Sequence, residues 1–173
     1  MTEDESPTLK RSPMSNKFPL MSAPPKVDNE SGTITIANKE SFPILDGNEA
    51  AVFMVKMKAG AVREPHWHPN CWELNVVLSG RAKVGVVNPD DTWSECEIGV
   101  GEVSFIPMGF FHYIEALEDL TLTVVFNADM PQDIGLSTGF AGMPTKMFEA
   151  TFGHSMSGFP KPNKTLFLVP GRT

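Results

Sequence analysis

The chain has 173 residues, 41% of them apolar, which is enough for one domain with a buried core. Its net charge of −7 at pH 7 disfavours nucleic acid or an anionic membrane surface as a partner, because both attract basic proteins. No apolar run reaches the roughly 20 residues of a membrane-spanning helix, and the amino terminus lacks the apolar core of a signal peptide. These features predict a cytoplasmic protein, in which an anionic substrate would need a metal or a local cation in its pocket.

The first segment, residues 1–30, is polar and contains two consecutive prolines, Pro24 and Pro25. It shows neither the period of a strand nor that of a helix, which is typical of a flexible arm. Two alternatives remain open. The arm is either an extension without function or a segment that becomes ordered across a neighbouring subunit.

Short runs of β-type residues follow one another from Thr33 to Phe126, separated by turns rich in Gly, Asn, Asp and Pro. In TITI and LTLTV the apolar residues recur at every second position, as in half-buried strands. No amphipathic stretch of helical length separates the runs, which disfavours an α/β fold. We therefore expect an all-β domain, an antiparallel sandwich or barrel over residues 31–130. The predicted strands are TITI, AVFMVKM, ELNVVLS, AKVGVV, EVSFIP and LTLTVVF.

The character of the sequence changes over residues 131–173. The stretch NADMPQDIGLSTGFAG is typical of a loop, and MPTKMFEATFG predicts a short helix that begins near Pro144 and ends near Gly153. The apolar tetrapeptide LFLV in the tail is expected to pack on the barrel or on a partner subunit. Together with the amino-terminal arm it predicts a homo-oligomer, a dimer or larger.

Two histidines lie two residues apart, at His66 and His68. Side chains with this spacing point to the same side of a strand, so both imidazoles can bind one ion. Glu73 can add a carboxylate once the chain has turned at Pro69 and Asn70. Neutral imidazole and carboxylate are common donors for divalent metals.

A second stretch, GEVSFIPMGFFHYIE, supplies a third histidine. Pro107 and Gly109 can form a tight turn that returns the chain into the barrel, so that His112 faces the first three donors. Three imidazoles and one carboxylate suit manganese, iron, nickel, cobalt or zinc. Cys71 lies within the ligand loop, but the set is complete without it. We expect Cys71 and Cys96 to be free thiols, although one bridge between them stays an alternative.

Both stretches resemble the two motifs of the cupin superfamily. The first motif corresponds to Gly60-x5-His66-x-His68-x4-Glu73-x6-Gly80, and the second to Gly101-x5-Pro107-x-Gly109-x2-His112. One departure is Ala116, where the second motif usually closes with Asn. Fragments from Ser41 to Gly153, among them SFPILDG, REPHWHPN and FIPMGFFHYIE, are similar to oxalate decarboxylases, germins and spherulins. The resemblance implies a single cupin β-barrel with a short helical segment after it, and manganese held by His66, His68, Glu73 and His112.

The resemblance also implies that Arg63 binds the carboxylate of a substrate. Strict strand alternation instead places Glu64 on the face of His66 and His68, so Arg63 reaches the pocket only if Pro65 bulges the strand. The planar guanidinium of arginine matches a carboxylate with two hydrogen bonds. A small carboxylate such as oxalate is therefore the expected substrate.

Bacterial decarboxylases of this group carry a lid glutamate that handles a proton. The corresponding loop here, NADMPQDIGLSTG, has no glutamate, and Asp129 or Asp133 is the expected substitute. The predicted activity is that of an oxalate decarboxylase or oxidase. The alternatives are another metal-dependent enzyme, a dioxygenase or an isomerase, and a non-catalytic protein that binds a metal or a small ligand.

Overall fold

The structure is a computed structural model that describes residues 15–156 and 166–171. The first half of the predicted arm and most of the tail therefore lie outside the described residues. Within them, strands dominate and every strand pair is antiparallel. The predicted all-β fold is confirmed.

The strands form two sheets. The first contains, in spatial order, β1 (Val27–Asn29), β2 (Gly32–Ala37), β3 (Ala51–Met57), β10 (Leu120–Phe126), β5 (Glu73–Ser79) and β8 (Val103–Ile106). The second contains β11 (Ile134–Gly135), β4 (Val62–Trp67), β9 (His112–Ala116), β6 (Ala82–Val87) and β7 (Trp93–Ile98), with β12 (Leu168–Val169) also pairing with β4. A 3-10 turn (Pro43–Leu45) precedes β3, and two helices, α1 (Leu136–Gly142) and α2 (Thr145–Phe152), follow β11.

The six predicted strands are all present. Four of them, β3, β5, β6 and β10, have the predicted bounds, and the other two are β2 and β8. These strands could be predicted because apolar residues alternate along them with residues that face outward. In β10, for example, every second residue from Leu120 to Phe126 is buried. Those buried residues join one core cluster between the sheets.

The region after Phe126 agrees only in part with the sequence prediction. The helix predicted in MPTKMFEATFG is confirmed as α2, with Pro144 at its amino-terminal cap and Gly153 in the left-handed conformation at its end. The loop predicted for residues 127–142 is wrong at its carboxyl end, where β11 and α1 form. The two glycines of α1 disfavour a helix, so tertiary contacts must stabilise it. The buried carboxylate of Glu64 accepts hydrogen bonds from the amide and the hydroxyl of Ser137.

The LFLV segment packs on the barrel of its own chain. Leu168 is buried, and its strand β12 pairs with β4 opposite Arg63. Cys71 and Cys96 are free thiols, one buried and the other exposed. In the described part of the chain, no helix has the length and apolar character to cross a membrane.

Candidate metal centre

Four side chains from three strands and one connecting loop converge inside the barrel. His66 comes from β4 and lies opposite His112, the first residue of β9. His68 follows the end of β4, and Glu73 begins β5. One potential ligand atom from each of the four lies within 4.8 Å of the others, and all four residues are buried.

The three imidazoles present the same nitrogen to the centre. The Nδ1 atoms of His66, His68 and His112 lie 2.7, 2.6 and 2.9 Å from backbone carbonyl oxygens. A carbonyl oxygen only accepts hydrogen bonds, so each Nδ1 carries the proton, and Nε2 of the neutral ring keeps its lone pair. The Nε2 atoms lie 4.0, 3.0 and 3.3 Å from Oε2 of Glu73.

Three lone pairs and one carboxylate oxygen facing a common point repel one another unless a cation lies among them. The donor set therefore fits a divalent metal with four protein ligands and room for further ligands. The electrostatics agree with this interpretation. Without a metal, protons on Nε2 of His112 and His68 can take the place of the cation. Burial alone would raise the pKa of Glu73, but the charge of His112 and hydrogen bonds from His112 and His68 then hold that pKa well below its ordinary value. Glu73 is thus an anion at neutral pH.

The buried cysteine beside these residues is a poor ligand by comparison. Burial, followed by repulsion from Glu73 and Asp133, raises the pKa of the Cys71 thiol to about 12. The thiol therefore stays protonated near neutral pH. This agrees with the prediction that Cys71 is a core residue.

One neighbour of the cluster was not anticipated. Asn75, fully buried on β5, donates from Nδ2 to Oε1 of Glu73 at 2.7 Å and also lies 3.2 Å from the hydroxyl of Ser104. This hydrogen bond leaves Oε2 of Glu73 directed at the histidines. Alternation could have revealed it, since Asn75 is two residues from Glu73 on the same strand and is polar at an inward position.

Arg63 lies on the cavity side of β4. Between Arg63 and His66 the pairing of β4 with β9 shifts register, so the strand bulges next to Pro65. Arg63 is only 8% exposed and lines the same cavity as His66. Its guanidinium lies over the ring of Phe167, 5.1 Å from the centroid. Glu64 is buried elsewhere, under Ser137 and Phe167.

Asp133 and Asp129, the two candidate lid acids, occupy different places. Asp133 forms an ion pair with Arg63 and lies 4.0 Å from Nε2 of His66. Asp129 instead accepts a hydrogen bond from the Gly47 amide and pairs with Lys39, so its carboxylate is bound outside the cavity lining. The structure brings Asp133 to the cluster and leaves Asp129 away from it.

Comparison with known proteins places these residues in a family. The family model described as cupin matches residues 18–157. This chain belongs to the cupin family. Its two sheets and its two sequence motifs agree with that membership.

Similar proteins include decarboxylases and germin-like proteins. The chain is 29% identical over 126 residues to an oxalate decarboxylase of Bacillus subtilis, covering 72% of this chain and 32% of that protein. It is 33% identical over 131 residues to an oxalate decarboxylase of Arthroderma benhamiae (73% and 30%) and 29% identical over 141 residues to germin-like protein 3-7 of Oryza sativa (80% and 60%). The chain therefore spans about a third of the two decarboxylases.

A solved structure shows the same arrangement of strands. The Bacillus subtilis oxalate decarboxylase, studied for its Mn(II) centres, superimposes with a TM-score of 0.87 at 26% identity, over 97% of this chain and 44% of that one.

Proposed function

We propose that this cupin is a metal-dependent enzyme acting on a small carboxylate, with manganese as its metal and oxalate as the first substrate to test. His66, His68, Glu73 and His112 would hold the ion. The donor set supports a divalent metal, and the Mn(II) centres of the similar Bacillus subtilis enzyme favour manganese among the metals that fit. When bound, the metal supplies a positive charge that polarises a carboxylate oxygen.

The observation that carries the proposal is the pairing of Arg63 with Asp133 beside the cluster. The guanidinium is buried, and its Nη1 has no hydrogen-bond partner among the described residues. A buried donor of this kind is costly unless a ligand completes it. A substrate carboxylate can bind there with two hydrogen bonds when it replaces Asp133 on the guanidinium.

Asp133 can then serve as the acid. Once the substrate has taken its place on Arg63, the carboxyl group of Asp133 lies beside the bound substrate and can deliver a proton to it. Decarboxylation of oxalate requires this proton, because the carbon that loses carbon dioxide must become formate. The position of Asp133 therefore favours a decarboxylase over an oxidase.

The test uses manganese-loaded protein with oxalate, measuring formate and hydrogen peroxide separately. We expect formate as the main product. Asp133→Asn should reduce formate production by roughly a hundredfold or more, since general acid catalysis typically contributes that much. Asp129→Asn, from the same loop but outside the cavity, is the matched control and should retain activity.

Each other outcome has a definite meaning. Peroxide as the main product would show an oxidase and would contradict the role of Asp133. Neither product, in protein that keeps its metal, would contradict catalysis on oxalate and favour a non-catalytic binding protein or another metal-dependent cupin enzyme.

A further inference from the structure

The cavity beside the metal cluster is far larger than oxalate requires. Its volume is about 500 Å³. Oxalate has six heavy atoms, and even at the roughly 30 Å³ that a water molecule occupies in the liquid they would fill well under half of this space. Protein interiors contain few voids larger than a water molecule, so a cavity of this size is a feature of a ligand site rather than loose packing.

Most of the extra space is apolar. Lys26, Glu40 and Ser41 also line the cavity but are exposed, and the amide group of the buried Asn38 is hydrogen-bonded to Met130 and Ser41. The apolar walls come from the inward positions of the first sheet, with paired residues from neighbouring strands: Val124 lies opposite Phe53, and Val55 opposite Ile34. Phe126 links this region to the cluster, because its ring centroid lies 4.9 Å from that of His68. The cavity therefore joins an apolar chamber to a polar end formed by the cluster, Arg63 and Asp133.

These two ends differ in what they accept. The polar end offers a guanidinium and the site for a metal, which together suit one carboxylate. Within the chamber, a second carboxylate on the same molecule would lose its hydration against valine, isoleucine and phenylalanine side chains, and Lys26, which also lines the cavity, is exposed to water. A hydrocarbon chain or ring would gain by leaving water in the same place.

We propose that the preferred ligand is a monocarboxylate with an apolar side chain of several carbons, such as a 2-oxo acid. This inference rests on the proposed function, in which the cluster and Arg63 bind a carboxylate. A 2-oxo acid keeps two oxygens on adjacent carbons, as oxalate does, and replaces the second carboxylate with an alkyl or aryl group. The head occupies the polar end, and the side chain fills the chamber lined by Ile34, Phe53, Val55 and Val124.

The experiment measures binding rather than turnover. Protein loaded with Co²⁺ is titrated with oxalate, pyruvate, 2-oxohexanoate and phenylpyruvate, and the visible absorption of the metal reports each dissociation constant. Each buried methylene group is worth up to roughly fourfold in affinity. The three extra methylenes of 2-oxohexanoate should therefore make it at least about tenfold tighter than pyruvate.

Substitutions on β3 test where the side chain of the bound acid lies. Val55→Phe fills the chamber and should abolish the preference for 2-oxohexanoate over pyruvate while leaving oxalate binding unchanged. Val52→Phe, at a half-buried position on the opposite face of the same strand, is the matched control and should keep the preference. If the Val55→Phe variant does not fold, Val55→Ala should weaken the binding of 2-oxohexanoate several-fold and leave the binding of pyruvate unchanged.

The two proposals fail in different ways. If oxalate and pyruvate bind as tightly as 2-oxohexanoate, the inference about the side chain is wrong and the carboxylate site remains. If Val55→Phe weakens all ligands equally, the chamber does not hold the side chain. If none of the four acids changes the spectrum, the carboxylate site itself is wrong, and both proposals fall.

Discussion

Replacing Asn75 by Leu tests whether the residues behind the cluster control metal binding. Asn75 donates the 2.7 Å hydrogen bond to Oε1 of Glu73 and is completely buried. Leucine has the same branched shape, a larger volume and no donor, so the substitution removes the hydrogen bond without opening a cavity. Glu73 then loses the contact that directs its other oxygen at His68 and His112.

The expected loss follows from the charge on Glu73. A hydrogen bond to a charged group contributes about 1.5–3 kcal/mol, and loss of a group that orients a metal ligand typically weakens binding tenfold to a hundredfold. We therefore expect the dissociation constant for Mn²⁺, measured by competition with a chelating indicator, to rise by roughly tenfold to a hundredfold. Ser104→Ala removes the other contact of Asn75 and should change the constant much less.

The metal-free protein provides the control. Oδ1 of Asn75 has no hydrogen-bond partner among the described residues, so leucine also removes an unsatisfied buried atom. This gain offsets the loss of the hydrogen bond to Glu73, so thermal unfolding of the metal-free variant should occur near the temperature of the parent. An unchanged Mn²⁺ dissociation constant would show that Glu73 is oriented without Asn75. A parallel loss of stability without metal would show a purely structural role.

Four further outcomes are expected. His68→Ala should remove the metal, measured by elemental analysis, while circular dichroism shows an intact barrel, because the strands bury a separate core. Arg63→Lys should keep the metal and lower activity or carboxylate affinity about tenfold to a hundredfold, through loss of the paired hydrogen bonds. Because the pKa of Glu73 is held below its ordinary value of 4.5, its ionised form stabilises the metal-free fold above that pH. This contribution should disappear as the pH falls below about 4.5, as acid titration of unfolding would show. Sedimentation should show a homo-oligomer at micromolar concentration, since Val103 and Phe105 leave apolar surface exposed on β8.

The strands could be predicted because each depends on its own alternation. Every second residue of β10 faces the core, and this period is visible in LTLTVVF without knowledge of its neighbours. The convergence of His66, His68, Glu73 and His112 was also predictable. His66 and His68 are separated by one position at the end of β4, and the other two residues stand at the beginning of later strands.

The segment after the barrel could not be predicted in the same way, because distant residues stabilise it. Helix α1 contains Gly139 and Gly142, and its local sequence disfavours a helix. It forms where Glu64 binds the amide of Ser137, a contact across 73 positions of the chain. Asn75 illustrates a different limit: its inward position was visible, but its contact with Glu73 depends on a side-chain rotamer.

The bulge next to Pro65 connects the cavity with the segment that follows the barrel. It turns Arg63 toward the cavity, while the next residue, Glu64, lies buried under β12 and α1. Glu64 accepts hydrogen bonds from the amide of Ser137, which follows Asp133 in the chain, and from the amide of Phe167, whose ring lies against Arg63. Two adjacent residues of opposite charge therefore have complementary tasks. Arg63 faces the cavity, and Glu64 holds the chain segments around Arg63 in place, so the position of Asp133 depends on a residue that does not line the cavity.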